Sequence, residues 1–474
     1  MRLGVSIIAT MAALAGPAFA RGVSPYLPLD LAPEIERQIE RVLLYADRAV
    51  LTRPIAAATV LDALPAACAR DQALCDDVRT YLDGYMRGAG LTHASLALGT
   101  DSGTPTALPN RHGMSSDSAY ELSASGFWQP TDFMLLSAGL LAYDGTTSPT
   151  GTMLSLGFEY LQIDLGYRDH WFSPLQSHAM PIATQAETMP SLTISNYTPL
   201  TRFNLRYETF LAEMSESSRI QYQDGYTTGN PGLIGLHLSI EPIPGWSIGV
   251  NRIMQFGGGE RGGHSLGDVL QAFFDPAGND NQGANLTSDE EFGNQIASIT
   301  SEIVIPGSRP FSVYFEYAGE DTSTLDNRRL GNTALSVGLH IPDLPGRVEL
   351  TLELAEWQNG WYEHGIYQDG LRNEGHVIGH WAGDWRTLGD GVGGVGGASA
   401  LIRVGWPLRS GAWLEAQYRT LDNESYTTTD YERGSLLEIL YSHRWGEYRV
   451  GVELDVGQDV FGNSFSRLAG FWRF

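Results

Sequence analysis

Beyond its first 20 residues the chain has no run of about 20 uninterrupted apolar residues, so no later segment can cross a bilayer as a helix. Lysine is absent altogether: all 30 basic residues are arginine, a bias from which no function follows. Charged residues are scarce at 18% against the usual ~25%, and the balance is acidic, with a formal net charge of −25. That charge excludes nucleic acid as a partner. There is no G-x-S-x-G elbow, H-E-x-x-H pair or Walker loop. A membrane hydrolase built from one serine and one histidine therefore has no local signature behind it. His364, His376 and His380 share a segment with Glu363, Glu374 and Asp384, but the intervals are irregular and the segment is loop-like. Polar loop or lumen residues are expected there, with no metal site and no cofactor.

Cysteine is nearly absent too, with only Cys68 and Cys75 in "PAACARDQALCDD". On one continuous helix that separation puts the Cα atoms about 10.5 Å apart, beyond disulfide reach. Either a turn near Arg70 and Asp71 brings them together or they stay unbridged. A local disulfide is the reading taken, because a pair outside the cytoplasm tends to oxidise. Two cysteines cannot form a structural zinc site alone.

The compartment follows from "MRLGVSIIATMAALAGPAFA". Arg2, a short apolar core and Ala18-Phe19-Ala20 read as a secretory signal peptide over residues 1–20, cleaved after Ala20. Residues 21–90 read as a small helical bundle. "PEIERQIERVLLYADRAV" starts with Pro33 and aligns Ile35, Ile39, Val42, Leu43 and Ala46 on one stripe. A second helix follows Pro54. A third, from about Asp71 to Met86, aligns Leu74, Val78, Tyr81, Leu82 and Tyr85. Three short helices bury too little to stand alone, so the bundle is expected to pack on the rest of the chain.

From residue 91 to 474 the period is two. In "RVELTLELAEW", Val348, Leu350, Leu352 and Leu354 alternate with Glu349, Thr351 and Glu353; "FSVYFEY", "FNLRYETFL" and "YRVGVELDVG" repeat the pattern. The chain ends "SRLAGFWRF", with Leu468, Gly470, Trp472 and Phe474 on one face and Arg467, Ala469, Phe471 and Arg473 on the other. An apolar face opposite a charged one, behind a signal peptide and ending on an aromatic residue, predicts a transmembrane antiparallel β-barrel with a polar lumen. Segments centred near 95, 123, 138, 155, 165, 194, 206, 237, 250, 298, 314, 337, 351, 402, 416, 440, 452 and 470 each supply a strand, about 18 in all. Turns such as "HRWGEYR" and "IPDLPGR" are tight, as on the periplasmic side; 257–291, 357–398 and 421–434 are long, as on the outer side.

Two loop segments invite a functional reading. Trp357, Trp361, Tyr362, Trp381 and Trp385 lie among Gln358, Asn359, Asp369, Asn373 and Asp384. Such aromatic and polar groups suit carbohydrate, rings against the C–H faces of sugars and polar groups on their hydroxyls. The competing reading makes the same rings packing or girdle residues. In "QFGGGERGGHSLGDVLQAFF", Gly257, Gly259 and Gly262 match G-x-G-x-x-G spacing. That fingerprint requires a parallel βαβ sheet, which period-two strands exclude. Instead, a strand ending at Phe256 is expected to turn inward or over the rim on its glycines. Asn251, Arg252, Gln255, Glu260 and Arg261 would then sit near the lumen mouth, with Asn251, Arg252, Gln255 and Arg261 as polymer-contacting residues, ahead of a short helix in "HSLGDVLQAFF".

The order of several motifs resembles the capsule-assembly Wzi family. These are "SPYLPLD", "GYRDHWFSPLQSHAMPIATQAETMPSLTISNYTPL", "VNRIMQFGGGERGG" followed by "DPAGNDN" and "EFGNQIASI", "VYFEYAGED", and "YQDGLRNEGHVIGH". In the last, Leu371 stands where the family has an aromatic residue. The resemblance runs from about Ser24 to the C-terminus. It implies a monomeric outer-membrane barrel with a periplasmic helical bundle and no enzymatic activity. It also implies a lectin-like role in holding capsular or related exopolysaccharide at the cell surface, with outer-membrane lipid and polysaccharide export machinery as further partners. The alternative is a channel for oligosaccharides or other solutes, since a barrel of about 18 strands can enclose an aqueous pore.

Overall fold

The computed structural model describes residues 22–262, 265–275, 289–320, 329–387, 394–408, 411–425 and 429–474. The signal-peptide segment 1–20 lies outside the described residues. Three helices come first: α1 (Pro33–Tyr45), α2 (Ala57–Arg70) and α3 (Gln72–Leu82). Proline opens α1, where its missing N–H costs nothing, and Asp71 caps α3 by accepting from Leu74 N at 3.1 Å. Asp71 itself is extended (φ −142°), so the chain turns sharply between α2 and α3. That turn brings Cys68 and Cys75 to 4.9 Å between Cα atoms, and they are bonded to each other.

Ile39, Val42, Leu43, Val60, Leu64, Leu74, Val78 and Leu82 form the bundle's core, which Phe127 and Leu135 of the barrel wall complete. The bundle thus completes its core against the barrel wall, as its size demands. No helix among the described residues is long and apolar enough to cross a membrane.

The strands are β1 (Ala89–Gly103), β2 (Tyr120–Thr131), β3 (Met134–Tyr143), β4 (Thr146–Ser148, resuming as Met153–Phe158), β5 (Leu161–Gly166), β6 (Ser191–Ser195), β7 (Arg206–Glu213), β8 (Gly232–Ile243) and β9 (Trp246–Phe256). They continue as β10 (Gln295–Ile305), β11 (Phe311–Glu320), β12 (Thr333–Leu344), β13 (Val348–Trp357), β14 (Gly397–Pro407), β15 (Ala412–Asn423), β16 (Gly434–Trp445), β17 (Tyr448–Gln458) and β18 (Ser464–Arg473). Each pairs antiparallel with its sequence neighbour, both parts of β4 pair with β3, and β1 pairs with β18 from Ser95↔Arg473 to Gly103↔Phe465. The result is a closed barrel of 18 strands, and each of the expected segments contains one of them. Alternation sets the two faces: Leu354, Val452, Leu468 and Trp472 are exposed outside, while Glu349, Glu353, Glu453, Arg467 and Arg473 are buried inside.

The helical bundle closes the end that carries the tight turns. Arg41 donates to Pro342 O at 2.6 Å, and Arg449 pairs with Glu34 at 3.1 Å. Inside the wall, Arg37 of α1 lies 2.6 Å from Glu40 and 3.5 Å from Glu415. Burial works against the charged form of Glu40, but Arg37 foremost, with His340, Arg403 and Arg53, carries its carboxyl down to about 2. A depressed carboxyl contributes stability that is complete above its unfolded value of about 4.3 and is lost as pH falls through the folded value. Amide-exchange protection of α1 is therefore expected to hold at neutral pH and to weaken as pH falls from about 4 towards 2. Glu40→Gln should remove that acid step and lower protection at pH 7.

The lumen itself is filled. Between β5 and β6 the chain leaves the wall, and most of residues 167–190 are buried inside the barrel. This plug has almost no regular structure, so its backbone N–H groups need other acceptors. The inward carboxylates of the alternating strands supply them. Glu353 accepts from Gln176 N (2.7 Å), Ser177 N (3.0 Å), the Ser177 hydroxyl and Tyr314 Oη (2.9 Å). Glu316 accepts from Met180 N and Ser173 Oγ, both at 3.1 Å. Glu208 binds Arg168 (2.6 Å) and His170 Nδ1 (2.8 Å).

Candidate functional site: the loop-built end of the barrel

Opposite the helices, residues 358–387 fold down onto the plug. Trp361, Tyr362, Leu371, Val377, Trp381 and Trp385 share one apolar core with Phe172, Met180 and Ile182. The lid is stitched in place by polar contacts. Tyr362 donates to Met180 O and accepts from His380 N, both at 2.7 Å, while its own N–H reaches Glu320 at 2.7 Å. Asp384 gathers Arg372 (2.7 Å), Gln185 Nε2 (2.8 Å), Val377 N (2.9 Å) and His376 Nδ1 (3.0 Å). From the other side, Ala183 N donates to Ile378 O at 2.7 Å.

The five aromatic residues expected to meet carbohydrate do come together, but inward. Trp357, Trp361, Tyr362, Trp381 and Trp385 are all buried, with Trp381 and Trp385 edge-to-face at 5.3 Å and Trp357 against His380 at 4.9 Å. In this arrangement Trp357, at the end of β13, and the four lid rings are packing residues, which leaves no ring face open to solvent. The three histidines separate into different networks: His376 on Asp384, His364 3.5 Å from Glu291, His380 among the rings. Among the described residues, the cluster with metal-ligand character is Glu40, His340 and Glu349 at the helical end. Arg37, Arg41 and Arg53 lie within 4.0 Å of its carboxylates and already balance them.

The polar residues of β9 divide. Asn251 faces the lumen, donating to Ser298 Oγ at 2.9 Å and to Phe172 O at 3.3 Å, so it positions the plug. Gln255 is also buried inside. Arg252 points the other way, on the outer face shared with the exposed Val250. Expecting it beside Asn251 at the lumen mouth is corrected by the pleat, which sends successive side chains to opposite faces. The Arg252 guanidinium donates to Phe273 O (2.8 Å) and Ala272 O (3.1 Å) at the C-terminal end of α4 (Leu266–Phe274), and it also contacts Gln295. Arg261 sits at the rim, donating to Glu291 O at 2.6 Å and Gln221 O at 3.2 Å.

The glycine run has a steric cause. Gly257, Gly258, Gly259 and Gly262 all have positive φ, and a Cβ on Gly258 would stand 2.7 Å from Ile220 Cδ1. Ile220 belongs to a hairpin, Ser217–Tyr222 with Gly225–Gly229, that the expected strand segments omit; its two-residue turn is Gln223-Asp224, with Gln223 at positive φ. The hairpin leans on the lid: Gln221 N donates to Ile366 O at 2.8 Å and Gln368 N to Arg219 O at 3.1 Å, while Tyr367 Oη ties the lid to Gly257 O at 3.1 Å. Together they present an outer surface carrying Tyr226 (63% exposed) and the Arg219–Asp369 pair at 3.3 Å.

By sequence, residues 112–387 match the family model described as capsule assembly protein Wzi. No curated protein matches by sequence. Among solved structures, the chain is similar to an Escherichia coli protein described as an outer-membrane, carbohydrate-binding β-barrel involved in group 1 capsule assembly. The TM-score is 0.69 at 13% identity, covering 96% of this chain and 99% of that one. It is also similar to OccAB4 of Acinetobacter baumannii, with a TM-score of 0.50 and 9% identity over 82% and 98% of the two chains. At such identities the structures speak for the fold alone, whereas the family model spans more than half of the chain. With its helix-stoppered, internally filled barrel, this chain belongs to the capsule assembly protein Wzi family.

Proposed function

We propose that the protein is a non-enzymatic, lectin-like outer-membrane barrel that binds capsular or related exopolysaccharide and aids its assembly or attachment at the cell surface. The helical bundle faces the periplasm, the lid and hairpin face outward, and the protein acts as a monomer. The observation that carries this reading is the filled lumen: plug, lid and bundle occupy the space a translocation path would need, so the outer surface is where a polymer meets the protein. Family membership and fold support the same direction. In this reading Trp357, Trp361, Tyr362, Trp381 and Trp385 shape that surface from beneath, while Arg261, Tyr226 and the Arg219–Asp369 pair offer the stacking and hydrogen-bonding groups. Asn251 acts indirectly, by holding the plug through Phe172 O, and Gln255 lines the lumen beneath the rim. Single contacts are weak, and affinity comes from many repeats of one polymer engaging many barrels. Export machinery would deliver the polymer.

The test is retention of purified protein on polysaccharide isolated from its own organism, paired with a deletion strain. Binding, with polysaccharide shed into the medium by the deletion strain, is the expected result. Full retention of cell-bound polymer by that strain would overturn the proposal. The channel reading draws on one feature, a cavity of about 200 Å³ beside the bundle lined by Arg37, Arg111, Glu121, Arg419, Glu453 and Arg473. A large conductance of the intact protein in planar bilayers would favour it instead.

A further inference from the structure

The helix α4 lies on the outside of the barrel. Its residues Val269, Ala272 and Phe273 pack with Ile234, Met254, Phe256 and Phe292. Ile234 and Met254 share the outer face with Leu238 and Val250. The same wall continues away from α4 through Leu238, Val250 and Ile299, register partners that are all exposed, and on to Tyr317, which pairs with Ile299. In a membrane barrel that exposed wall is covered by lipid, and tyrosines mark its interfacial level. The helix therefore starts where the lipid-facing band ends, on the side away from the bundle.

Its remaining surface is not uniform. At 100° per residue, the wall-packed residues, the pair Leu270–Phe274 and the pair Asp268–Gln271 define three faces about 120° apart. Leu270 is 49% and Phe274 74% exposed, so one free flank is apolar, while Asp268 and Gln271 are exposed on the other. A helix resting on a protein wall above water needs one apolar face; this one has two, meeting at an angle. Arg252 fits the same picture. A guanidinium on an outer face near lipid needs internal acceptors, and the last carbonyls of α4 provide them.

We propose that α4 is an interfacial anchor. It is wedged between the barrel wall and the lipid leaflet on the loop-bearing side, with Leu270 and Phe274 set into the boundary between headgroups and acyl chains. That this leaflet is the outer one rests on the proposed orientation of the barrel; the contact with lipid does not.

The test uses the full chain in phosphatidylcholine–phosphatidylglycerol vesicles. Cys68 and Cys75 are bonded to each other, so Leu270→Cys, Phe274→Cys and Asp268→Cys each offer one free thiol for a nitroxide. Labels at 270 and 274 are expected to lose accessibility to a water-soluble nickel relaxant and gain it for oxygen, with the label at 268 doing the reverse. Equal nickel accessibility at all three positions overturns the proposal. The unmodified chain gives a second reading that needs no substitution. A photoactivatable acyl-chain probe is expected to form adducts that fragment sequencing places on Leu270 and Phe274. Adducts confined to strands β8, β9 and β10, with none between Ser265 and Phe274, would sink the idea. Because the vesicles carry no polysaccharide and have two equivalent leaflets, neither outcome depends on the polymer-binding reading or on cellular location.

Discussion

Reconstituted in a planar bilayer, the intact protein is expected to give no discrete conductance steps, and a variant whose residues 168–189 are replaced by a short turn is expected to give them. Gly166 and Ser191 are register partners at the ends of β5 and β6, so a tight connection can rejoin the strands without moving the wall. The excised residues include Phe172, Met180 and Ile182, on which the lid rests. A closed wall of this strand number encloses an aqueous channel unless something fills it. The bundle would still narrow one end, so the steps should be smaller than those of an empty barrel. A variant that inserts normally yet stays silent would mean that lid and bundle close the barrel unaided.

The second large effect is expected from Glu353→Ala. Its two oxygens take the N–H groups of Gln176 and Ser177, the Ser177 hydroxyl and the Tyr314 hydroxyl. Removing the carboxylate strands these donors together, and a buried donor left unpaired costs about 1–3 kcal/mol. The expected outcome is fast amide exchange through the plug near Ser177 while the wall strands stay protected. Glu353→Gln keeps one acceptor oxygen and should give an intermediate result. Uniform loss of protection across the wall as well would show that Glu353 supports the barrel rather than the plug.

Much of this was legible in the sequence because a barrel wall is written in one simple code. Leu350 and Glu349 could not trade faces without putting a carboxylate in lipid, so alternation in "RVELTLELAEW" located both the strand and its orientation. The helix stripes and the turn at Asp71 were legible for the same reason: each is a local pattern with a local cause. What the residues did not disclose was where irregular chain goes. "HWFSPLQSHAMPIATQAE" has neither period, and its Met, Ala, Pro and His residues serve a loop over the rim as well as a plug inside it. Its partners Glu208, Glu316 and Glu353 are far away in sequence, and they read only as polar lumen positions until the plug is seen against them. The lid rings were ambiguous in the same way, since Trp361 and Trp385 would look identical in sequence whether stacked on sugar or packed among protein side chains. Arg252 was misplaced through neglect of the pleat, a constraint already present in the word "VNRIMQF".

The seam between β1 and β18 also limits how the plug can be reached. A closed wall has no edge, so once Phe465 through Arg473 are zipped onto the first strand, residues 167–190 communicate with the outside only through the two ends. The bundle and the lid occupy those ends, and the folded molecule is a wall wrapped around its own contents.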